Sequence, residues 1–430
     1  MAQIIPFSAV RFDKNTVGDL AAVTSPPHDI ISPEQQKKLY DAHPFNVVRL
    51  ELSEAYDDDD EYNNKYIRSG SILREWLESG VLNTDSEPSF YIYGQEFTLD
   101  GKTHSLKGIM CLAYLEDFEK GIIVPHEETV SKIRNDRFNL MCATGANISA
   151  VYSLYTDSEK NIESAVNSVF VNNPPETEFT SHDGVRQRLW RISDEDTVLK
   201  IQNEFKDKQL FIADGHHRYE AAINYRNMMR EKNPYHTGDE PYNYIMMFLV
   251  ETGEPGLVIL PSHRLVKNVI DFDEQKTLSL LKDSFEIRRF YAENNIADAV
   301  KASLADRADE KVFAMYTGKD YYYMLTLNDP EYADAANAST PDVTILHSLI
   351  LDKVFGIDKE SLQSQRNLTY TYNWTEAETL TKTNAYQCAF FLNPVTIGEF
   401  TDICLSNERI PQKSTYFYPK LITGMIMNKF

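Results

Sequence analysis

The sequence predicts a mixed α/β (α+β) fold, and three observations carry that expectation. Apolar runs of strand length, residues 209–213 and 244–250 among them, alternate with stretches of helical period. Asp100-Gly101 lies between two strand-like runs and signals a hairpin turn. Hydrophobic residues make up 42% and charged residues 25% of 430 positions, ordinary proportions for a globular chain long enough for two or three domains.

The elements follow in order. Residues 4–7 read as a short strand. Ser32-Pro33-Glu34 supplies an N-cap with Pro at the first helical position, opening a helix to about residue 41. The Val-rich stretch 46–50 reads as a buried strand, and the acidic run 57–61 as solvated chain. A helix over 62–79 stops at Gly80. Residues 90–99 and 104–115 form the two arms of the hairpin, followed by a strand at 122–124, a helix at 136–144 and a strand at 150–155. A strand at 188–192 and the run 209–213 precede a helix over 219–230, with Tyr219, Ala222, Ile223, Arg226 and Met229 on one face. Strands at 244–250 and 257–260 close this part. Beyond 271 the expected helices are 274–283, 293–304 and 342–354, and the expected strands 311–316, 321–327 and 386–392. Boundaries near 100 and 270 therefore divide the chain into 1–100, 101–270 and 271–430.

Composition excludes some functions. The net charge of −22 opposes a nucleic-acid binder, which needs a basic surface. Cys111, Cys142, Cys388 and Cys404 form no C-x-x-C pair and sit in apolar segments, as reduced buried thiols do. The start of the chain lacks a signal-peptide pattern, and no apolar run reaches the length of a membrane span. A cytoplasmic protein without nucleic-acid or membrane partners is expected; association into oligomers is left open. Walker, G-x-G-x-x-G and G-x-S-x-G patterns are missing.

The stretch most charged with chemistry is Asp214-Gly215-His216-His217-Arg218. It lies where an apolar strand empties into a helix, a geometry suited to an anion. The helix start offers unpaired N–H groups and the positive dipole end. Gly215 lets the backbone approach a ligand, and Arg218 can grip a phosphate through two N–H groups. Asp-Gly is also a common turn, and paired His residues a common cap. Three other segments share the pattern of a strand emptying into polar residues: His126-Glu127, His263-Arg264, and Asn46 with Arg49 around Val47-Val48. Together they suggest one anion site fed by several strand ends. Glu127, near such a site, suits a carboxylate that takes a proton from a substrate hydroxyl during phosphoryl transfer, and equally a helix-start Glu beside a capping Thr129. Arg137, Asn147 and Lys413 are further candidates for substrate contact, with ion-pair, turn and solvated-edge readings beside them. The segment from Lys413 to Lys420 could fold over the site as a lid. A His-ligated metal is the rival, weakened by the absence of H-x-x-x-H spacing and by the nearby Arg residues; magnesium carried by a nucleotide needs fewer ligands.

Asp214-Gly215-His216-His217-Arg218 resembles the D-G-x-H-R phosphate element of the ParB/sulfiredoxin-like superfamily, in particular its free L-serine kinases, and His126-Glu127 resembles their upstream His-Glu pair. Across its length the chain resembles the domain of unknown function 1015 family, through Pro125-His126-Glu127-Glu128-Thr129, Asp136-Arg137, residues 213–220, Leu260-Pro261-Ser262-His263-Arg264 and Pro411-Gln412-Lys413-Ser414-Thr415. The resemblance implies a ParB/sulfiredoxin-like core at 101–270 with N-terminal and C-terminal extensions. It implies nucleotide-dependent phosphorylation of free serine with Mg2+ present; the motif does not decide the donor, and ATP is expected ahead of ADP. Glu127 would be the general base, with His126 and His217 beside the chemistry. Gly215, His216, His217 and Arg218 would hold phosphates, with Asp214 orienting the nucleotide's magnesium or a neighbour; His263 and Arg264 have no counterpart in the two matched motifs and join the expected phosphate site from their place at a strand end. The chain is much longer than those kinases, so the substrate is less securely implied than phosphate binding. A nucleotide-responsive sensor and a metal-dependent phosphohydrolase are the competing expectations.

Overall fold

The computed structural model describes residues 2–291, 295–329, 340–358, 361–362, 366–406 and 408–430. The chain forms two compact units. The first comprises Met1–Pro125, Thr129–Val258 and Pro419–Phe430; the second comprises His126–Glu128 and Ile259–Tyr418. The architecture is mixed α/β, as the alternating periods predict.

Unit one is built on a nine-stranded mixed sheet. Its order is Ile123–Pro125, Leu210–Asp214, Val151–Tyr155, Tyr244–Glu251, Lys102–Tyr114, Phe90–Leu99, Arg186–Ile192 and Thr177–Thr180, with Ile4–Ile5 also pairing to Lys102–Tyr114. Two pairings are parallel, Ile123–Pro125 with Leu210–Asp214 and Val151–Tyr155 with Tyr244–Glu251. The hairpin turns at Asp100 and Gly101, both at positive φ, which a type I′ turn requires. Strand Tyr244–Glu251 is buried along both faces, which explains its unbroken apolar sequence. Ile109, Cys111, Ile212, Met247 and Leu249 pack in the principal core with helices Asn161–Phe170, Glu195–Phe205 and His216–Lys232. Tyr93 and Tyr152 meet Phe248 through ring contacts, Phe248 being the residue between Met247 and Leu249 on its strand.

A Cβ added at Gly108 would meet Leu249 O at 2.5 Å and the Phe248 ring at 2.6 Å. Neither neighbour can yield, one being backbone and the other a buried ring. Gly108→Ala is therefore expected to destabilise unit one by about 3 kcal/mol, lowering its thermal transition by roughly 5–10 °C. An unchanged transition would contradict the packing.

Unit two carries a six-stranded antiparallel sheet in the order Phe285–Phe290, Tyr322–Leu327, Val312–Tyr316, Cys388–Phe391, His263–Val266 and Leu368–Thr371. Its two faces divide by residue parity. Val266, Phe313, Met315, Leu325 and Phe390 pack with helix Glu274–Leu281 and the segment from 342 to 352. Leu265, Ala314, Tyr322, Ala389 and Phe391 pack with helices Ile296–Ala305 and Trp374–Lys382. The expected helix at 342–354 is α-helical over Asp342–Ile345 and then widens into a π-helix, Leu346–Asp352. The expected start of the 293–304 helix falls outside the described residues; the helix is observed over Ile296–Ala305.

One element differs in kind from its expectation. The 46–50 stretch is no strand but a turn leading into a short helix, Val48–Glu51. Asn46 Oδ1 accepts from Val48 N–H at 2.9 Å, and its Nδ2 donates to Ala22 O and Thr24 O. Those bonds set a local turn, and the side chains of Val47 and Val48 are buried without any strand partner. Among the described residues, no helix is long and apolar enough to cross a membrane.

Candidate functional site

In unit one, strand Leu210–Asp214 runs into helix His216–Lys232 through a single residue, Gly215, at φ +95°. A Cβ there would stand 3.0–3.1 Å from the Arg218 guanidinium, so the left-handed backbone and the close approach both call for glycine. The helix begins three residues earlier than its apolar period suggests, because His216 and Arg218 are buried polar residues that hydropathy does not count.

Asp214 is clamped by two cations. Lys420 Nζ donates to its Oδ1 at 3.0 Å, and Arg218 Nη2 donates to its Oδ2 at 2.7 Å. Burial alone would raise its pKa, but Lys420 and Arg218 outweigh that and hold the carboxyl below its usual range. Arg218 Nη1 also donates to Ala150 O. His217 Nε2 accepts the Val130 N–H at 2.8 Å, so any proton on the neutral ring is at Nδ1. His216 is buried within the first helical turn.

Behind this junction, Glu51 is buried, and Arg137 and Ser149 each bond its Oε1 at 3.0 Å, with His28 Nδ1 at 3.2 Å. Burial opposes its ionisation, yet His28, Arg137 and Arg218 together hold its pKa down. Arg137 also pairs with Asp136, which Lys65 and Tyr66 bind as well. A cavity of about 30 Å³, room for one water, is lined by Glu51, Arg137, Asn147, Ser149 and Arg218 among others. Asn147 Oδ1 accepts from Met246 N–H and from Asn428. Arg49 donates to Tyr40 O at 2.7 Å and lies over the Tyr40 ring. Asn46 is committed to the backbone bonds described above. Of the residues singled out by sequence, unit one thus joins Asp214, Gly215, His216, His217 and Arg218 in one element, with Arg137 and Asn147 on the cavity beside Arg218.

Unit two holds the others. Glu127 Oε1 accepts the backbone N–H of Ser414 at 3.0 Å and lies 3.4 Å from that of Thr415. His126 is fully buried, its Nε2 3.0 Å from Thr415 Oγ1 and its ring edge-on to Phe400. Lys413 stands at positive φ, and its carbonyl accepts from Ser262 Oγ at 2.7 Å. His263 and Arg264 are adjacent on one strand and so face opposite ways. His263 lies against Trp374 and Phe391, while Arg264 lies over the Tyr370 ring at 4.8 Å.

Burial, helped by Arg264 and Lys301, pushes His263 down to about 3. The unfolded ring titrates near 6.5, so below that pH the unfolded chain binds the extra proton and folding weakens as pH falls. His347 is shifted the same way, by burial and Arg264. Urea unfolding of unit two is expected to lose on the order of 2 kcal/mol between pH 7 and pH 5 through His263, and His263→Phe to lose less. Equal losses would refute this.

Glu51, Tyr370 and His347 are the residues that sequence reading left out of the candidate site, while Lys420 entered it only as the end of the expected lid segment. A carboxylate at the end of a buried run, as Glu51 is, was the one available signal. Among the described residues, no group of three or more His, Cys, Asp and Glu side chains could hold a metal. The donor set agrees: both Asp214 oxygens face cations, which oppose a resident metal ion.

No curated protein matches the sequence. Solved structures with some likeness include a conserved hypothetical protein from Pyrococcus furiosus, at 14% identity, 73% of this chain, 92% of that chain and a TM-score of 0.34. A free serine kinase variant in complex with AMP has 11% identity over 72% of this chain and 87% of that one, with a TM-score of 0.35. SbnI with C-terminal truncation from Staphylococcus aureus has 8% identity over 73% and 85%, with a TM-score of 0.36. Scores this low carry no argument about chemistry. The family described as Protein of unknown function (DUF1015) matches residues 4–349, and the chain belongs to that family.

Proposed function

We propose that the protein is a cytoplasmic kinase transferring a phosphoryl group from a nucleotide, ATP ahead of ADP, to the hydroxyl of free L-serine. The observation that carries the reading is the junction at Gly215, where a left-handed glycine opens a helix of 17 residues directly after a strand end. The first N–H groups of that helix and its dipole favour phosphate oxygens. Asp214, held between Lys420 and Arg218, fixes the junction's shape. His216 and His217 extend the same first turn.

Glu127 is the general base of this reaction. The serine Oγ–H gives its proton to the Glu127 carboxylate while Oγ forms a bond to the terminal phosphorus. The bond from that phosphorus to its bridging oxygen breaks, and the shortened nucleotide leaves with the electron pair. Catalysis consists of positioning and charge neutralisation around an in-line transfer. Magnesium enters as part of the nucleotide co-substrate.

The test is mass-spectrometric detection of O-phosphoserine after incubation with L-serine, magnesium and either ATP or ADP. Product with one donor is expected. Nucleotide binding without product would sink the kinase reading and favour a nucleotide-responsive binding protein. Phosphate release without any second substrate would favour a phosphohydrolase.

A further inference from the structure

Arg264 is a buried cation that no carboxylate among the described residues pairs directly, although the charge of Glu127 bears on it. Its side chain is wholly inaccessible, and among the described residues it makes no ion pair. Nη1 donates to Ser262 O and Nε to His347 Nε2 at 3.3 Å, while Nη2 has no acceptor among the described residues. Two neighbours carry unanswered polar groups as well. Tyr370, cross-strand from Arg264, has a hydroxyl with no partner among the described residues. His347 accepts from Arg264 at Nε2, so its proton sits on Nδ1, which also has no partner among the described residues. His347 lies on the π-helix Leu346–Asp352, and such interruptions recur at functional sites. Burying a cation and several donors without acceptors is costly, and an anion that completes them removes the cost.

We propose that Arg264, Tyr370 and His347 form an anion pocket in unit two that takes the carboxylate of a small hydroxylated acid. Charge selects the carboxylate over a phosphate. Burial pushes Arg264 down to about 10, which leaves it charged at neutral pH. Burial leaves His347 neutral, its pKa falling well below the ordinary value. The charges that bear on Tyr370 are those of Arg264, Glu127 and Lys413, two positive and one negative. A monoanion brings that set to neutrality, whereas a doubly charged phosphate would leave excess negative charge beside Glu127. A carboxylate held here also belongs to the same unit as the Glu127 carboxylate, which suits an acid bearing a hydroxyl. The inference rests on the kinase reading for the hydroxyl but not for the carboxylate.

Calorimetric titration of the full-length protein with L-serine, D-glycerate, L-serinamide and inorganic phosphate tests it. At least one of the two acids is expected to bind, with L-serinamide and phosphate at least tenfold weaker. Arg264→Gln should weaken the acid at least 100-fold and leave AMP affinity unchanged. Tyr370→Phe, which removes one hydroxyl and keeps the ring, should weaken it about tenfold and decides the matter should Arg264→Gln fail to fold. Binding of D-glycerate but not L-serine, with the same dependence on Arg264, would uphold the pocket and defeat the free-serine reading. Failure of both acids to bind, equal binding of the amide, or phosphate binding that disappears in Arg264→Gln would each overturn the inference.

Discussion

Glu127→Gln is expected to lower serine phosphorylation by a factor of about 10²–10⁴ while nucleotide affinity stays within twofold. The substitution separates a chemical role from a structural one. Glu127 Oε1 accepts the Ser414 N–H, and a glutamine amide oxygen can accept it equally. The fold of the Ser414 turn is therefore retained, and the change removes only the capacity to take a proton. Nucleotide phosphates are assigned to the helix start at His216, none of whose residues the substitution alters, so their affinity should be retained. Turnover within threefold of the unaltered protein would show that the base is some other group.

Arg218→Gln should have the second largest effect, on two readouts at once. The guanidinium bonds both the Asp214 carboxylate and the Ala150 carbonyl. Its loss leaves Asp214 with Lys420 alone and should cost about 2–3 kcal/mol. That figure is kept below the range for fully buried pairs because the Asp214 side chain is 22% exposed. Nucleotide affinity should fall at least tenfold. The double variant Asp214→Asn/Arg218→Gln separates the causes. Stability should return by half or more once the stranded carboxylate is gone. If nucleotide affinity returned as well, Arg218 would act only by positioning Asp214 and not by holding phosphate.

Much of the fold was legible because it is written in local periods. The hairpin arms could be read from the alternation flanking Asp100-Gly101, and the observed strands are Phe90–Leu99 and Lys102–Tyr114. The strand-to-helix junction at Gly215 could be read because an apolar run, a glycine and a helical period meet there. The helix opened by Ser32 was legible because the cap and the Pro act on their own neighbours. Residues 46–50 were misread because Val47 and Val48 favour strands only weakly, and the side-chain bonds of Asn46 to Ala22 and Thr24 overrule that preference. Those bonds lie more than twenty residues away and leave no local mark.

The candidate site divides along the same line. Residue type and spacing alone single out Asp214-Gly215-His216-His217-Arg218 and His126-Glu127 as candidates, because a helix start and a strand end are decided by side-chain sterics within a few residues. They could not show that Lys420 reaches Asp214 across 206 positions, or that Tyr370 lies across from Arg264. Nor could they show that His263 turns toward Trp374 and Phe391 while its neighbour turns away. Those pairings follow from strand order and register, and a one-residue change of register would send each side chain to the opposite face. Sheet order is settled by the burial of whole faces at once, a sum over segments far apart in the sequence, such as Tyr244 paired with Tyr114 and Leu210 paired with Ile123. Tertiary structure therefore decides which charges meet, while the chain's local chemistry decides which charges there are.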